Sequence, residues 1–416
     1  MFPSPACRPA LAVAAALCLA WPAAAQPLLL EDALQIAERD APRLAMARAD
    51  IAATSSEALP AGALPNPRLI AGLDNFPVTG AERGLFDRDF MTMQRIGVMQ
   101  EVPSAAKRRA AVAQAEAEVA VSRAGLGVAR QQLRRETATA WLSLWSLERR
   151  NGVFAALEHE NQLLAMTITA QVASGRAEPA DALAPAQEAA QLADRRDALR
   201  RDSAKARAGL RRLVGESAGL PLPEQAPEFA VDPSQLHEHL AVHPEVEAFT
   251  AQTRRAEAAL AEAEARKSSD WSVEVAYQRR GGQFGDMVSL QFNFELPIGS
   301  DQRNDPVIAA RRLAEERVAS EREALVRDHA QELDSDVAEW TALTSQLERA
   351  RGQAVPLAQQ KVDLLLAGYA AGRVRLVEVL AARRDLLDQR LRVLELDGER
   401  RVVAARLHFA YGEEQP

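Results

Sequence analysis

The chain has 416 residues, of which 48% are hydrophobic and 26% charged, and its formal net charge is −8 at pH 7. An acidic balance disfavours contact with a phosphate backbone, so composition argues against nucleic acid as a partner. Aromatic residues account for only 5% of the chain, which favours long, closely packed helices over one large globular core.

Residues 1–25 resemble a secretory signal peptide. Arg8 is their only charge, an apolar run extends from Ala10 to Leu19, and three alanines at 23–25 offer a small-residue cleavage site. The alternative is a membrane anchor, but the run is too short to span a bilayer comfortably. Cys7 and Cys18 both lie in this segment, so the mature chain would have no cysteine. No run of about 18 apolar residues follows, so no transmembrane helix is expected downstream.

The remaining chain is predicted to be an internal duplication. Four landmarks recur in one order at nearly constant spacing: Pro42 and Pro244, Gln100-Glu-Val-Pro103 and Phe294-Glu-Leu-Pro297, Ala173-Ser-Gly-Arg176 and Ala370-Ala-Gly-Arg373, Leu213-Val-Gly215 and Ala410-Tyr-Gly412. We expect a first repeat over 26–215, a Pro-rich linker over 216–236, a second repeat over 237–412 and a short tail over 413–416.

The first repeat is predicted to open with a helix from about Leu30 to Leu59, followed by strands at about 68–75 and 92–102. Pro103 suits the junction between the second strand and a long helix, because proline cannot donate to a ladder yet fits a first helical turn. That helix has no further proline before Val172, and Gly152 is the residue expected to interrupt it. A second helix is predicted from Glu178-Pro179 to about Val214.

The second repeat contains the clearest strand signal of the chain. After a helix over about 245–267, apolar and polar residues alternate at about 271–278 and again at 287–296, joined by a glycine-rich turn. This period of two predicts a hairpin with one apolar and one polar face. Pro297 marks the next strand-to-helix junction. Helices are expected over about 306–366, with a kink at Pro356, and from after Gly372 to about Phe409.

The hairpin faces predict a membrane barrel that one chain cannot close by itself. The apolar face carries residue types enriched on outer-membrane strands: Trp271, Tyr277, Phe292 and Phe294. Four strands per chain would leave an open edge, which lipid does not tolerate. A dimer would supply 8 strands and a trimer 12, and the polar residues Gln291, Asn293 and Glu295 favour the wider barrel with a water-filled interior.

The predicted fold is therefore mainly α with a membrane β-barrel. Four strands from each protomer would enter a trimeric 12-stranded barrel, continued into the periplasm by a long α-helical coiled-coil tube. Pro103 and Pro297 would mark the barrel-to-helix junctions.

This duplicated plan resembles the TolC family of outer-membrane efflux ducts, over about Leu30 to Gly412. Residues 173–181 (ASGRAEPAD) and 369–379 (YAAGRVRLVEV) are similar to the two periplasmic helix turns of that family. Residues 63–67 (ALPNP) followed by 72–75 (GLDN) resemble its heavy-metal-efflux (CzcC-like) branch.

The resemblance implies a homotrimer in the outer membrane of a Gram-negative cell, in contact with outer-membrane lipid. It implies two protein partners, a periplasmic adaptor and a proton-driven inner-membrane RND transporter, and an exported substrate that is a heavy-metal cation. The alternatives within the family are a duct for drugs or other small molecules and a type I secretion duct. The alternatives of another class are a periplasmic coiled-coil scaffold and a barrel enzyme.

The resemblance also assigns candidate site residues at the periplasmic mouth. Asp181 and Glu378 would form an acidic ring, and Tyr369 matches a tyrosine that helps to lock the closed mouth. The pattern departs at Val374, where a basic partner is expected, and at Ala381, where a second acid is expected. The bland alternative is that both carboxylates simply serve helix starts.

The two helix turns themselves are expected to dock the adaptor. The residues that carry this expectation are Gly175, Arg176, Gly372 and Arg373.

Two further groups of residues are candidate metal sites. His239 and His243 are four residues apart and His237 precedes them, a spacing that suits zinc, although surface histidines near a helix start are the alternative. Met91, Met93 and Met99 suit soft ions, with ordinary loop and barrel residues as the alternative.

No phosphate-binding loop, nucleophile elbow or His-Glu-x-x-His motif is present, so neither an enzyme nor a cofactor is expected.

Overall fold

The computed structural model of the chain describes residues 26–175 and 178–412. The predicted signal segment, Arg176 and the short tail lie outside the described residues. The helices are α1 (Leu30–Asp40), α2 (Pro42–Ala58), α3 (Ala105–Ala173), α4 (Ala184–Val214), α5 (Pro233–His239), α6 (Pro244–Ala265), α7 (Ser300–Arg349), α8 (Val355–Ala370) and α9 (Leu376–Tyr411). The strands are β1 (Arg68–Asp74), β2 (Met93–Val102), β3 (Trp271–Arg280) and β4 (Met287–Phe294).

The opening helix is divided, where one continuous helix was expected. Ala41 is extended, with φ −67° and ψ 121°, and Pro42 begins α2. Proline disfavours helical backbone at the residue before it, and it has no N–H to continue the hydrogen-bond ladder. The prediction of a single helix from Leu30 to Leu59 was therefore wrong at this one peptide unit.

The longest helix, α3, is continuous through Gly152 and has 69 residues. At about 1.5 Å per residue it extends for about 100 Å. Its first turn follows β2 after Pro103 and Ser104, and the Ser104 hydroxyl accepts a hydrogen bond from the Lys107 amide at 3.2 Å. The expected interruption at Gly152 does not occur, because a single glycine lowers helix stability by only about 1 kcal/mol.

The second long helical segment starts earlier than expected and contains the expected irregularity. Helix α7 begins at Ser300, so Pro306 lies inside it rather than at its start. A single π-helical turn, Ala350–Ala354, separates α7 from α8 and precedes Pro356, which is the second residue of α8. A proline removes one backbone donor, and a wide turn just before it accommodates that loss.

The four expected strands form one antiparallel sheet in the order β1-β2-β3-β4. Val98 of β2 lies opposite Leu69 of β1 and Val275 of β3, and Val275 lies opposite Leu290 of β4. Because the period along each strand is two, this register places Leu69, Val98, Val275 and Leu290, with the other apolar residues of the same parity, on one face.

That apolar face is exposed to solvent in the single chain. Val288 is 72% exposed, Leu290 61% and Phe292 53%, and the face continues through Ile96 and Leu69. Contiguous exposed apolar surface of this extent marks a surface that contacts something other than water.

The opposite face is polar and more closely packed. The guanidinium of Arg95 pairs with the carboxylate of Glu274 and lies 3.7 Å from that of Asp74, so it bridges β1 and β3 across its own strand. On the same face, Gly97 allows β2 and β3 to approach closely, since a Cβ there would lie 2.8 Å from the Cβ of Ala276. Strand β4 ends at Phe294, two residues before the predicted end, and Glu295 instead donates its amide to the Asp270 carbonyl at 2.9 Å.

The helical core lies where the residues before α1 and the segment between α4 and α5 cross the long helices. The indole N–H of Trp141 donates to the Leu28 carbonyl at 3.0 Å, and that of Trp145 donates to the Pro223 carbonyl at 3.1 Å. The predicted Pro-rich linker therefore packs against the helices through its carbonyl groups. Its start forms a short 3-10 turn, Gly215–Gly219.

Candidate functional site

Two helix turns of similar geometry lie at one end of the helical bundle. The first follows α3 and leads through a 3-10 turn, Pro179–Leu183, into α4, and the second joins α8 to α9. Gly175 and Gly372 have φ values of 68° and 70°, the left-handed conformation that commonly ends a helix and that glycine adopts without steric cost. The duplicated Ser/Ala-Gly-Arg signal in the sequence is thus a duplicated helix C-cap.

The two turns pack against each other through a small apolar cluster. Ile168 of α3 and Leu376 and Leu380 of α9 are buried together. Tyr369 lies against this cluster, and its hydroxyl donates to the Gln171 side-chain oxygen at 2.7 Å. Burial first, and the carboxylate of Asp181 second, raise the pKa of Tyr369, so its hydroxyl keeps its proton at neutral pH.

Asp181 and Glu378 both lie in the first turn of a helical segment at this end. The Asp181 carboxylate accepts from the amide of Glu178 at 3.2 Å in a reciprocal capping box. The Glu378 carboxylate accepts from the Arg375 guanidinium at 3.1 Å. Each carboxylate therefore serves its own helix start in the single chain, and the pore role implied by the family resemblance stays a prediction.

The residues around the second turn have local structural roles. Arg373 donates its amide to the Gly368 carbonyl at 2.9 Å, which closes the turn. Val374, at the position where the family pattern has a base, packs over Gly368, where an added Cβ would lie 2.6 Å from Val374 Cγ2. Arg176, the corresponding residue of the first turn, lies outside the described residues.

The strand-to-helix junctions converge on a residue that sequence reasoning did not single out. Asp270, just before β3, accepts from the Ser104 amide at 2.9 Å and from Lys107 Nζ at 2.8 Å. It therefore joins the start of α3, after Pro103, to the start of β3. After Pro297, Gly299 adopts φ 70° at the start of α7.

A second lysine, just after the end of α6, pairs with the start of α7. Lys267 Nζ lies 3.1 Å from Asp301 and 2.5 Å from Asp305. No sequence signal identifies these pairs, because the partners of each are far apart along the chain and all are common surface residue types.

The three histidines considered as metal ligands have different partners. His237 contacts the Pro233 carbonyl at 2.7 Å and the Asp334 carboxylate at 2.9 Å. The His239 ring lies 2.9 Å from the Tyr411 carbonyl. Within the described residues, the group whose ligand atoms converge contains His243 together with Glu245 and His329. The spacing of histidines in the sequence identified His243 but not His329.

The methionines are separated along the sheet. Met93 and Met99 lie at opposite parts of β2, six residues apart, which corresponds to about 20 Å of strand. Met91 precedes the strand and is exposed. These three side chains do not share one site, so a common soft-metal site formed by this trio was the wrong alternative.

None of the described helices combines the length and apolarity needed to cross a lipid bilayer.

The fold is shared with solved outer-membrane channels. Similar structures include a membrane protein from Pseudomonas aeruginosa (TM-score 0.78, 18% identity, 92% of this chain and 90% of that one) and the outer membrane protein VceC of Vibrio cholerae (TM-score 0.75, 19% identity, 92% and 96%). CusC, which forms a transmembrane channel, matches with a TM-score of 0.77 at 15% identity over 94% of both chains. No protein-family model matches the sequence, and no curated protein sequence does.

The chain thus has the fold of outer-membrane channel protomers, and CusC and the other neighbours named as channels are not enzymes. At this level of identity the likeness shows the fold.

Proposed function

We propose that this chain is the outer-membrane duct of a tripartite efflux system in a Gram-negative cell. The observation that carries the proposal is the exposed apolar face of the four-stranded sheet, joined to long helices, of which α3 extends for about 100 Å and α7 for about 75 Å. Such a sheet suits lipid contact on one face, and helices of that length suit a passage through the periplasm.

The proposed assembly is a homotrimer. In the described part of the chain, β1 and β4 each have one edge without a strand partner, and neighbouring protomers would pair with these edges. The two repeats, over 26–215 and 237–412, would each supply one hairpin, and three chains would close 12 strands around a lumen lined by the polar face. A lumen of that size admits solutes, whereas about 8 strands are largely filled by side chains.

The proposed partners are a periplasmic adaptor and an inner-membrane RND transporter. The two glycine-capped turns, at Gly175 and Gly372, lie at the far end of the long helices from the sheet. Together with Arg373, and with Arg176 on the family resemblance alone, they are our candidates for adaptor docking. Asp181, Glu378 and Tyr369 at the same end are our candidates for the aperture.

The proposed substrate is a heavy-metal cation, which rests on the short 63–67 and 72–75 motifs. Efflux of drugs and type I secretion remain the alternatives within the same architecture. A periplasmic scaffold would also use long helices, but it would have no need of the exposed apolar sheet face.

The test begins with cell fractionation, extraction of the protein and native mass spectrometry in detergent. We expect the protein in the outer-membrane fraction as a trimer that conducts ions in planar bilayers. A monomer that remains soluble without detergent would contradict the duct and favour the scaffold.

Substrate is tested separately, by growth of a deletion strain on a panel of metal salts and of drugs. Sensitivity to metals alone would support the metal branch, and sensitivity to drugs alone would assign the duct to drug efflux.

A further inference from the structure

A buried cluster of polar side chains lies at the start of α6, where that helix meets α3, α7 and α9. His243, which precedes α6, and His329 of α7 are only 4% and 7% exposed, and their ring centroids are 4.0 Å apart. Glu245 of α6 lies beside them, with its Oε2 3.1 Å from His329 Nε2. One ligand atom from each of the three lies within 4.8 Å of those of the other two.

The contacts of His329 allow a tautomer that presents a lone pair to Glu245. The Tyr411 hydroxyl donates to the His329 carbonyl at 3.3 Å, so its oxygen is free to accept from His329 Nδ1, also at 3.3 Å. With Nδ1 as that donor, the lone pair of Nε2 faces the Glu245 carboxylate, and the two atoms can share a metal ion. In the other tautomer, Nε2 donates directly to the carboxylate.

Glu245 and His243 also have partners that fix their orientation. Gln132 Nε2 donates to Glu245 Oε1 at 2.9 Å, which fixes that carboxylate and leaves Oε2 toward His329. His243 Nδ1 accepts from the Glu245 amide and its Nε2 lies against the Gln131 side-chain nitrogen, each at 3.2 Å, so an ion at Nε2 would take the place of the Gln131 contact. Burial first, and the neighbouring His329 second, lower the pKa of His243 to about 4.

We propose that His243, Glu245 and His329 bind a divalent transition-metal ion of the zinc type, which links the start of α6 to α7. Two imidazoles and one carboxylate are a recognised zinc ligand set that leaves one further position. With ligand bonds of about 2.0–2.1 Å, tetrahedral ligand atoms lie about 3.3 Å apart, close to the 3.1 Å between His329 Nε2 and Glu245 Oε2.

Tyr411 and Gln132 would act as positioning residues for this ion. Metal-bound histidines usually donate their other N–H to a fixed acceptor, and losing such a partner typically costs about 10–100-fold in metal affinity. The Tyr411 hydroxyl has that relation to His329, and the Gln132 amide has it to Glu245. The buried setting suits an ion that is retained. The ion would bind there whether or not the chain is an efflux duct.

The experiment uses tag-free, detergent-purified protein, stripped with a chelator and titrated with Zn²⁺ by calorimetry. Co²⁺ serves as a spectroscopic probe of ligand geometry. We expect saturation at one ion per chain, a tetrahedral Co²⁺ spectrum and a rise in apparent Tm on adding Zn²⁺. His329→Gln and Glu245→Gln should abolish all three signals.

The matched control is His237→Gln, which removes a nearby histidine outside the cluster and should leave binding unchanged. Tyr411→Phe deletes a single oxygen and should weaken binding about 10–100-fold. This variant also keeps the test decisive if His329→Gln fails to assemble. Absence of saturable binding, or binding undiminished in the Gln variants, would overturn the site and leave a hydrogen bond between His329 and Glu245 in its place.

Discussion

The hydroxyl of Tyr369 donates a 2.7 Å hydrogen bond to the side-chain oxygen of Gln171. Tyr369 is in the last turn of α8, and Gln171 is in the last turn of α3. Each helix ends at its own glycine-capped turn, so this bond joins the two turns directly. The buried contact of Ile168 with Leu376 and Leu380 lies beside it.

Removing this bond should loosen the contact between the two turns. A neutral hydrogen bond contributes about 1 kcal/mol, so we expect Tyr369→Phe to shift the ratio of open to closed channels about fivefold toward open, measured as single-channel open probability. The control is Thr167→Val, because the Thr167 hydroxyl bonds only to Leu163 of its own helix. An equal effect of both variants would mean that the turns are not held by this bond.

The faces of the sheet predict opposite effects for adjacent residues of β4. Leu290 and Phe292 lie on the exposed apolar face, and Gln291 lies on the other. Leu290→Arg and Phe292→Arg should block outer-membrane assembly, since an arginine facing mid-bilayer lipid costs about 2–4 kcal/mol. Gln291→Arg should assemble. Trimer yield in the outer-membrane fraction is the readout, and equal loss in all three variants would contradict the assigned register.

The carboxylates at the helix turns predict the ion preference of the mouth. In a trimer, Asp181 and Glu378 would bring six carboxylates together, and bound divalent cations would relieve their repulsion. We expect divalent cations to reduce conductance, and Asp181→Asn with Glu378→Gln to remove that block. The side-chain amide introduced by Asp181→Asn keeps an oxygen that can accept from the Glu178 backbone N–H, so the capping box need not be lost.

The measurement is single-channel conductance in planar bilayers with and without a divalent cation. Persistence of the wild-type block in the double variant would leave both residues as helix-start carboxylates.

A close helix crossing predicts a strong contrast between two glycines. An added Cβ on Gly398 of α9 would lie 2.5 Å from Ser146 Cβ of α3, whereas Gly209 of α4 has no atom within 4 Å of that position. Gly398→Ala should destabilise the protein by about 1–3 kcal/mol, because it overpacks the crossing. Gly209→Ala should stabilise it by about 0.5–1 kcal/mol through helix propensity. Apparent Tm values that fall equally, or not at all, would disprove the close crossing.

Acid should destabilise the helical core through the half-buried histidine His408. Burial first, and the Arg134 guanidinium second, lower the pKa of His408. The unfolded chain therefore binds more protons than the folded one below pH of about 6.5, so stability falls as the pH drops through that value. We expect His408→Phe to reduce the loss of apparent Tm between pH 7.5 and 5.5.

His237 provides the contrasting case. The Pro233 carbonyl, followed by Asp334, raises the pKa of His237. Its stabilising contribution is present in acid and is lost as the pH rises through its folded pKa, so His237→Gln should not reduce the acid sensitivity. A wild-type Tm that does not change over this range would contradict the sign assigned to His408.

Features that depend on neighbouring residues were predictable from the sequence. The alternation at 271–278 predicted both β3 and its apolar face, because the period of a strand is a local property of the backbone. Glycines 175 and 372 predicted helix ends, since glycine adopts the left-handed backbone conformation without steric cost. Pro356 predicted the irregular turn before α8 for the same kind of local reason.

The tertiary structure alone decided which distant residues meet. His243 meets His329 rather than His237, and Asp270 meets Lys107, because the packing of α6 against α3 and α7 sets those distances. Gly152 remained helical whereas Ala41 did not, since proline at 42 removes a donor while glycine only lowers propensity. Sequence by itself determined the period of the strands and most ends of the elements, which are backbone properties. The polar clusters arise from contacts between residues far apart in the chain, so only the packing of the helices decides which residues form them.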